Sequence, residues 1–295
     1  ILFQMAVLNT ITFRTIFEDV LQDRLDRPQT WKEMCKVTYT DDQVIRSSYM
    51  STTPAVQTVT RGTGVVPQTF AETSETLTIS TGRDLGVIVD WADFYQSPWT
   101  SKAELFDRIG HLLNEYIETN VLARHASWTD FGSSDIGGTG GSTTTITVSA
   151  LNIDDIIRGV KREIREANGQ MFMSMNGVGF VWRAADFELL EAFAQANGFA
   201  TADTALKEGT VEGLHYLGGD HYWSNDHAAN HVFAGVKKIE RLGILRSMYG
   251  RAYTIEFPAA DTNNFASGVA FYSRVDVGNL TPSAHSTIVF DVNVA

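Results

Sequence analysis

Residues 101–128 read SKAELFDRIGHLLNEYIETNVLARHASW. Leu105, Ile109, Leu112, Tyr116 and the pair Val121 and Leu122 fall on an i, i+3/i+4 stripe, which predicts one amphipathic helix with an apolar face. Asp107, Arg108, Glu115 and Glu118 fall off that stripe. Ser101 is placed as the N-cap, and Glu104 three residues on completes a capping box. At 1.5 Å per residue the helix would be roughly 40 Å long. Globular helices average about three turns. A polar segment of β character precedes the stretch, and GSSDIGGTGGS (132–142) follows it as a flexible turn or linker. Such a helix needs a large partner surface.

Working outward, residues 55–95 carry alternating β patterns at Val56, Thr58 and Thr60 and again at Leu77 and Ile79. Between them lies a polar stretch with Gly62, Gly64 and Pro67. A hairpin that long and polar does not bury itself in its own subunit, and an isolated two-stranded ribbon is marginal in water. It is expected to lie on another chain, with a two-strand sheet edge as the alternative. Phe13, Ile16, Phe17, Val20, Leu21 and Leu25 predict a short helix ended by Pro28. The polar segment after it reads as an arm that packs on its own body or on a neighbour.

Downstream, Thr143–Ser149 reads as a strand. A helix from Asn152 or Asp154 carries Ile153, Ile156, Ile157, Val160 and Ile164 and stops at Asn168-Gly169. Met171–Trp182 reads as an apolar strand region. Ala184–Ala196 reads as a helix with Phe187, Leu190 and Phe193 on one face. Val211–Trp223 and His231–Val236 are further apolar segments, and strands alternating with helices predict a mixed sheet. Residues 258–295 return to β alternation, clearest at Ile288, Phe290, Val292 and Val294. These last strands are expected to pair beside the long helix and not to extend the middle unit.

The chain has 295 residues with a formal net charge of −12. That charge argues against a nucleic-acid reader, which needs basic groups to displace counterions. It suits a wall that surrounds nucleic acid without sticking to it. Cys35 is the single cysteine, so no intrachain disulfide forms, which fits a reducing compartment. Met171–Trp182 is too short to span a bilayer, and the first residues lack the basic region of a signal peptide.

Candidate chemistry is sparse. GLHYLGGDHYWSNDHAANH (213–231) holds four of the seven histidines: His215, His221, His227 and His231. His227 and His231 are four apart, a spacing that suits a metal such as zinc on a helix. No glutamate completes an H-E-x-x-H motif, and Gly218-Gly219 and Asn225-Asp226 predict turns, so a surface loop is the preferred reading. There is no G-x-S-x-G, no phosphate-cradling glycine loop and no histidine near Cys35 in sequence. Neither a catalytic centre nor a cofactor is expected.

The order of parts resembles the major capsid proteins of tailed double-stranded DNA phages, with the α+β Hong Kong 97-type fold shared by herpesvirus capsids and encapsulin shells. PQTWKEMCKVTYTDDQ (28–43) looks like the N-terminal arm of the branch with Mu-like head proteins. RGTGVVPQTFAETSETLTIS (61–80) looks like the extended β-hairpin loop, and SPWTSKAELFDRIGHLLNEYIETNVLARH (97–125) like the spine helix of the peripheral domain. LNIDDIIRGVKREIREANGQMFMSMNGVGFVW (151–182) and GTVEGLHYLGGDHYWSND (209–226) look like the axial α/β domain. GVAFYSRVDVGNLTP (268–282) and the last strand look like the return to the peripheral domain. The implied division is an arm at 1–54, an extended loop at 55–95, a peripheral domain at 96–150 and 258–295, and an axial domain at 151–257.

The resemblance implies hexamers and pentamers of this chain closing into an icosahedral shell around double-stranded DNA. It implies assembly in the host cytoplasm with a scaffolding protein, a portal and a cement protein, and a final place in the virion. Candidate subunit-interface residues are Arg61, Gly62, Val65 and Phe70 in the loop, Trp31 in the arm and Trp91 beyond the loop. Some members cross-link the loop to a neighbour through lysine and asparagine. Residues 37–101 contain no lysine, so no covalent chainmail through that loop is expected. The competing readings are an encapsulin-like compartment and a metal-dependent enzyme built on His215–His231.

Overall fold

A computed structural model describes residues 30–50, 58, 69, 71–90, 99–138, 141–196, 214–246, 252–257 and 268–295. In chain order the described elements are α1 (Thr30–Met34), β1 (Lys36–Thr40), β2 (Val44–Met50), β3 (Glu72–Thr78), β4 (Thr81–Asp90) and α2 (Trp99–Leu122). A 3-10 turn (Ala123–Ser127), β5 (Thr129–Phe131), α3 (Ser133–Ile136), α4 (Ile153–Glu166), α5 (Gln170–Asn176), β6 (Val178–Trp182) and α6 (Ala184–Ala196) follow. Then come β7 (Leu214–Tyr216), β8 (Gly219–Trp223), β9 (His231–Val236), β10 (Arg241–Leu245), β11 (Ala252–Phe257), β12 (Gly268–Leu280), a second 3-10 turn (Ser283–Ile288) and β13 (Val289–Asn293). The helix expected over residues 13–25 lies outside the described residues.

The long helix forms over Trp99–Leu122, so Ser101 lies within it and is not its cap, and the expected stretch 123–127 is a 3-10 turn. Ile109, Val121 and Leu122 are buried as expected, but the middle of the buried face is turned. Ile109, Leu113, Ile117 and Val121, each four apart, enter the core, while Leu112 is 42% exposed. Glu118, expected in solvent, is 6% exposed. The helix packs on β12, β4 and α1, and that contact selects which of two overlapping apolar rows turns inward. Thr30 Oγ1 on α1 donates to Glu118 Oε1, which makes burial of that carboxyl tolerable. Tyr116 is half-buried, and the Arg83 guanidinium of β4 lies 5.6 Å from its ring centre.

Among the described residues the strands form two large sheets. In the first, β12 is the spine. It pairs antiparallel with β4 along one edge (Gly268↔Asp90 to Val277↔Thr81). Its other edge takes β10 (Arg241↔Leu280) and β11 (Ala252↔Ser273), both antiparallel. β1 adds parallel to β10 (Lys36↔Arg241). The second sheet runs β5-β13-β9-β6-β8-β7. β6 is buried at every position because both of its faces are covered.

α4 keeps its expected bounds. Ile153, Ile156, Ile157, Val160 and Ile164 are all fully buried, and Asn168 takes the left-handed conformation (φ 59°) that ends the helix. Gly159 lets α4 approach the Phe131 ring, since a Cβ there would lie 2.8 Å from Cζ.

Several expectations are corrected. Residues 170–176 are helical, so only Val178–Trp182 of the expected apolar strand is strand. Residues 143–149 make only an isolated bridge, Ile146↔Val294. β12 does lie beside the long helix, but β13 pairs with β9 (Phe290↔Ala234) and joins the second sheet. β10 and β11, read with the middle unit, belong to the first sheet instead. Alternation marks a strand but carries no information about its partner, which is a long-range choice. No described helix is long and apolar enough to cross a membrane.

Candidate functional site

β2 and β3 form a separate antiparallel ribbon in register Val44↔Thr78 to Met50↔Glu72. Its arms therefore begin ahead of the expected span, within the segment read as arm, and β4 belongs to the first sheet. Only the ribbon's root is seated. Leu77, Ile79 and Leu245 form a small buried cluster with Ile45 and Leu280 against it. Glu72, Thr73, Ser74 and Thr76 further out are exposed.

The seat for this root is a pair of facing glycines, Gly243 on β10 and Gly278 on β12. A Cβ at Gly243 would lie 2.7 Å from Leu77 Cδ2 and 3.2 Å from both Ile45 Cδ1 and Ile79 Cδ1. A Cβ at Gly278 would lie 2.3 Å from the Thr78 backbone oxygen. Any side chain here lifts the ribbon. Strand glycines that admit a second backbone are the available sequence signal, but nothing local says what approaches.

A polar clasp holds the next turn of ribbon. Glu75 Oε1 accepts from Ser283 N at 2.8 Å and from the Ser283 hydroxyl, and Tyr49 Oη approaches Ser283 Oγ at 3.1 Å. Burial alone would raise the Glu75 carboxyl, but the Ser283 and Tyr49 hydrogen bonds outweigh it and hold it below its ordinary value. The ribbon thus has a fixed base and a polar body.

Of the expected interface residues, Arg61, Gly62, Val65, Phe70 and Trp91 lie outside the described residues. Trp31 is 1% exposed and sits in the subunit's own core with Met34 and Cys35. Within this subunit Trp31 is thus a core residue, since α1 packs on the long helix and β1 pairs with β10 in the first sheet. Lys36 N donates to Glu240 O, Lys238 N to Met34 O and Arg246 N to Thr40 O, each at 2.7 Å. Burial also pushes the Cys35 thiol well up, which makes it a poor nucleophile.

The four sequence-adjacent histidines do not converge. His215 is exposed and its Nδ1 meets Asp220 Oδ1 at 2.7 Å. His221 is fully buried and stacks on Phe180 with ring centres 4.8 Å apart. Trp182 Nε1 donates to its Nδ1 at 3.0 Å, and its Nε2 meets the Tyr216 carbonyl at 3.1 Å, so it is a neutral structural ring. Burial lowers His221 and His227 to about 4. β7 and β8 form a tight hairpin whose turn residues Leu217 and Gly218 both have positive φ, and this separates the ring environments.

Only His231 enters a cluster, with two residues absent from the sequence reading. Its Nδ1 lies 2.7 Å from Asp291 Oδ2, and His125 Nδ1 lies 3.5 Å from the same oxygen. Among the described residues this is the one set of three or more His, Cys, Asp or Glu side chains whose ligand atoms gather within 4.8 Å. Alternation in β13 put Asp291 on the face opposite Phe290, but the 3-10 turn after α2 covers that face and leaves Asp291 2% exposed. Burial raises the Asp291 carboxyl against the pull of His231 and His125.

No protein-family model matches the sequence, and no curated protein does. Solved structures share its architecture. The capsid of an empty GTA particle superposes with a TM-score of 0.62 at 12% identity, over 90% of this chain and 89% of that one. The mature capsid of bacteriophage PhiM1 gives 0.57 at 15% identity, over 89% and 85%. The virus-like particle from Pyrococcus furiosus gives 0.54 at 14% identity, over 95% and 99%. The chain therefore has the Hong Kong 97-type capsid-protein fold.

Proposed function

We propose that this chain is the major shell subunit of a tailed-phage-type head, forming hexamers and pentamers in an icosahedral shell that encloses double-stranded DNA. The observation that carries this reading is the β2–β3 ribbon. It is anchored at its root by Leu77 and Ile79 and clasped to Ser283 through Glu75 and Tyr49, and its β3 arm is otherwise polar and exposed. A free two-stranded ribbon is marginal in water, so it gains stability by lying on a second copy of the chain. The role is structural and non-catalytic, and the net charge of −12 keeps the wall from adhering to its DNA. A scaffolding protein, a portal and a cement protein are the further partners, with assembly in the host cytoplasm and a final place in the virion.

A protein-only compartment of the encapsulin kind is the second reading. It is favoured by the 95% and 99% coverage with the Pyrococcus furiosus particle, although at the lower TM-score of 0.54. Electron microscopy and size exclusion of the expressed chain, alone and with its scaffold, test the proposal. Rings, tubes or shells are expected. A compact monomer under both conditions overturns it, and shells that carry protein cargo in place of DNA in their native host select the second reading.

A further inference from the structure

The structure assigns a metal site outside the ribbon: we propose that His125, His231 and Asp291 bind one divalent transition-metal cation of the zinc class. The inference is independent of the shell reading. The three ligands come from distant parts of the chain. His125 lies in the 3-10 turn that continues α2, His231 opens β9, and Asp291 is in β13.

Strand register explains the convergence. Asp291 faces Phe233 across the β13–β9 pair, and Phe233 shares a face with His231 two residues back. The 3-10 turn covers this face, with Trp128 edge-on to Phe233 at 4.8 Å between ring centres. His125 is thereby laid over His231, their ring centres 3.8 Å apart and their planes 23° apart.

Two features point to a cation. Asp291 is 2% exposed, and its Oδ1 has no hydrogen-bond partner among the described residues. A buried carboxylate oxygen left without a partner is costly, and a bound cation is one way to satisfy it. Both ring Nδ1 atoms also approach the other oxygen, at 2.7 and 3.5 Å. Ligands about 2.0–2.1 Å from a tetrahedral zinc are about 3.3 Å apart. The 3.5 Å spacing is close to that value, and the 2.7 Å one is the His231–Asp291 hydrogen bond, so a cation enters by displacing that bond's proton and turning the two stacked rings apart until both nitrogens face it. Two imidazoles and one carboxylate suit zinc, cobalt or nickel and not magnesium or calcium, which prefer oxygen ligands. Both imidazoles are about a quarter exposed, which provides an entry path and room for water at a fourth position. The bound ion would tie the end of the long helix to the second sheet.

The test strips the purified full chain with chelator and titrates it with zinc, then with cobalt as a spectroscopic probe. One equivalent per chain is expected, with visible cobalt bands of a tetrahedral site and a rise in thermal midpoint. Outer-shell partners alone are worth about 10–100-fold in metal affinity, so His125→Gln, His231→Gln and Asp291→Asn should each weaken binding at least about 100-fold. His215→Gln should retain full uptake. Circular dichroism of each variant checks that it is folded, and Asp291→Asn preserves side-chain shape. Absence of stoichiometric uptake by the folded wild-type chain overturns the proposal, as does undiminished uptake by folded variants of all three ligands.

Discussion

Glu240 offers a test of how the core handles a buried charge. It lies between β9 and β10 and is fully buried, with only weak polar contacts to its carboxylate from Thr281 and Trp128. The nearest cation is Arg124, whose Nε is 4.0 Å from Oε1. Burial is the largest influence on the carboxyl, and it raises it from 4.5 to about 7 against the smaller pull of Thr281, Arg124 and Trp128. The folded chain therefore holds this proton more tightly than the unfolded chain. Below about pH 4.5 both states are protonated and Glu240 has no effect. As pH rises towards 7 the unfolded chain releases the proton first, and stability falls; above about 7 the loss is complete. At about 1.4 kcal/mol per tenfold change in proton affinity, the full loss is about 3 kcal/mol.

Glu240→Gln removes this titration. Urea unfolding of wild type and variant is compared at about pH 5 and about pH 8. The variant should gain up to about 3 kcal/mol on wild type between the two conditions. Comparing the two chains cancels His221 and His227. Their lowered values act the other way, with stability lost as pH falls from about 6.5 towards 4. If the variant keeps the wild-type pH dependence, or is the less stable chain at pH 8, the carboxylate is ionised and stabilised by Arg124, and the reasoning fails.

Three further outcomes are expected. Leu113→Asp should prevent folding by placing a charge in the core, while Leu112→Asp should keep native circular dichroism; the milder Leu113→Ala should cost about 2–5 kcal/mol by denaturant unfolding. Gly278→Val should lift the ribbon root off Thr78, opening β2 and β3 to limited proteolysis and blocking assembly while the second sheet keeps its near-ultraviolet signal. Boiled shells in denaturing electrophoresis should run as a single monomer band, because residues 37–101 offer no lysine; a ladder of covalent oligomers contradicts this.

The elements that were legible are those whose cause is local. α4 could be bounded because five isoleucine and valine residues repeat at helical spacing and Asn168-Gly169 supplies a left-handed stop. α6 was found for the same reason, and the resemblance in the order of parts led to the fold. Residues 170–176 were misread because a short apolar run fits strand and helix alike.

The histidine cluster shows the opposite case. Proximity in sequence grouped His215, His221, His227 and His231, yet the tight β7–β8 hairpin sends the rings of His215 and His221 into separate surroundings and only His231 enters a cluster. His125 and Asp291, far apart in the chain, meet because β13 pairs with β9 and a 3-10 turn covers that face.

The long helix marks the same boundary. Its existence follows from the sequence alone, since periodicity is a property of neighbouring residues, but its ends do not: it starts at Trp99, ahead of the expected cap Ser101, and gives way to a 3-10 turn after Leu122. Nor does its orientation. Two apolar rows overlap on its surface, and only packing against β12, β4 and α1 turns Leu113 inward and Leu112 out. The glycine seat under the ribbon and the burial of Glu118 depend on the same long-range contacts, which no local pattern encodes.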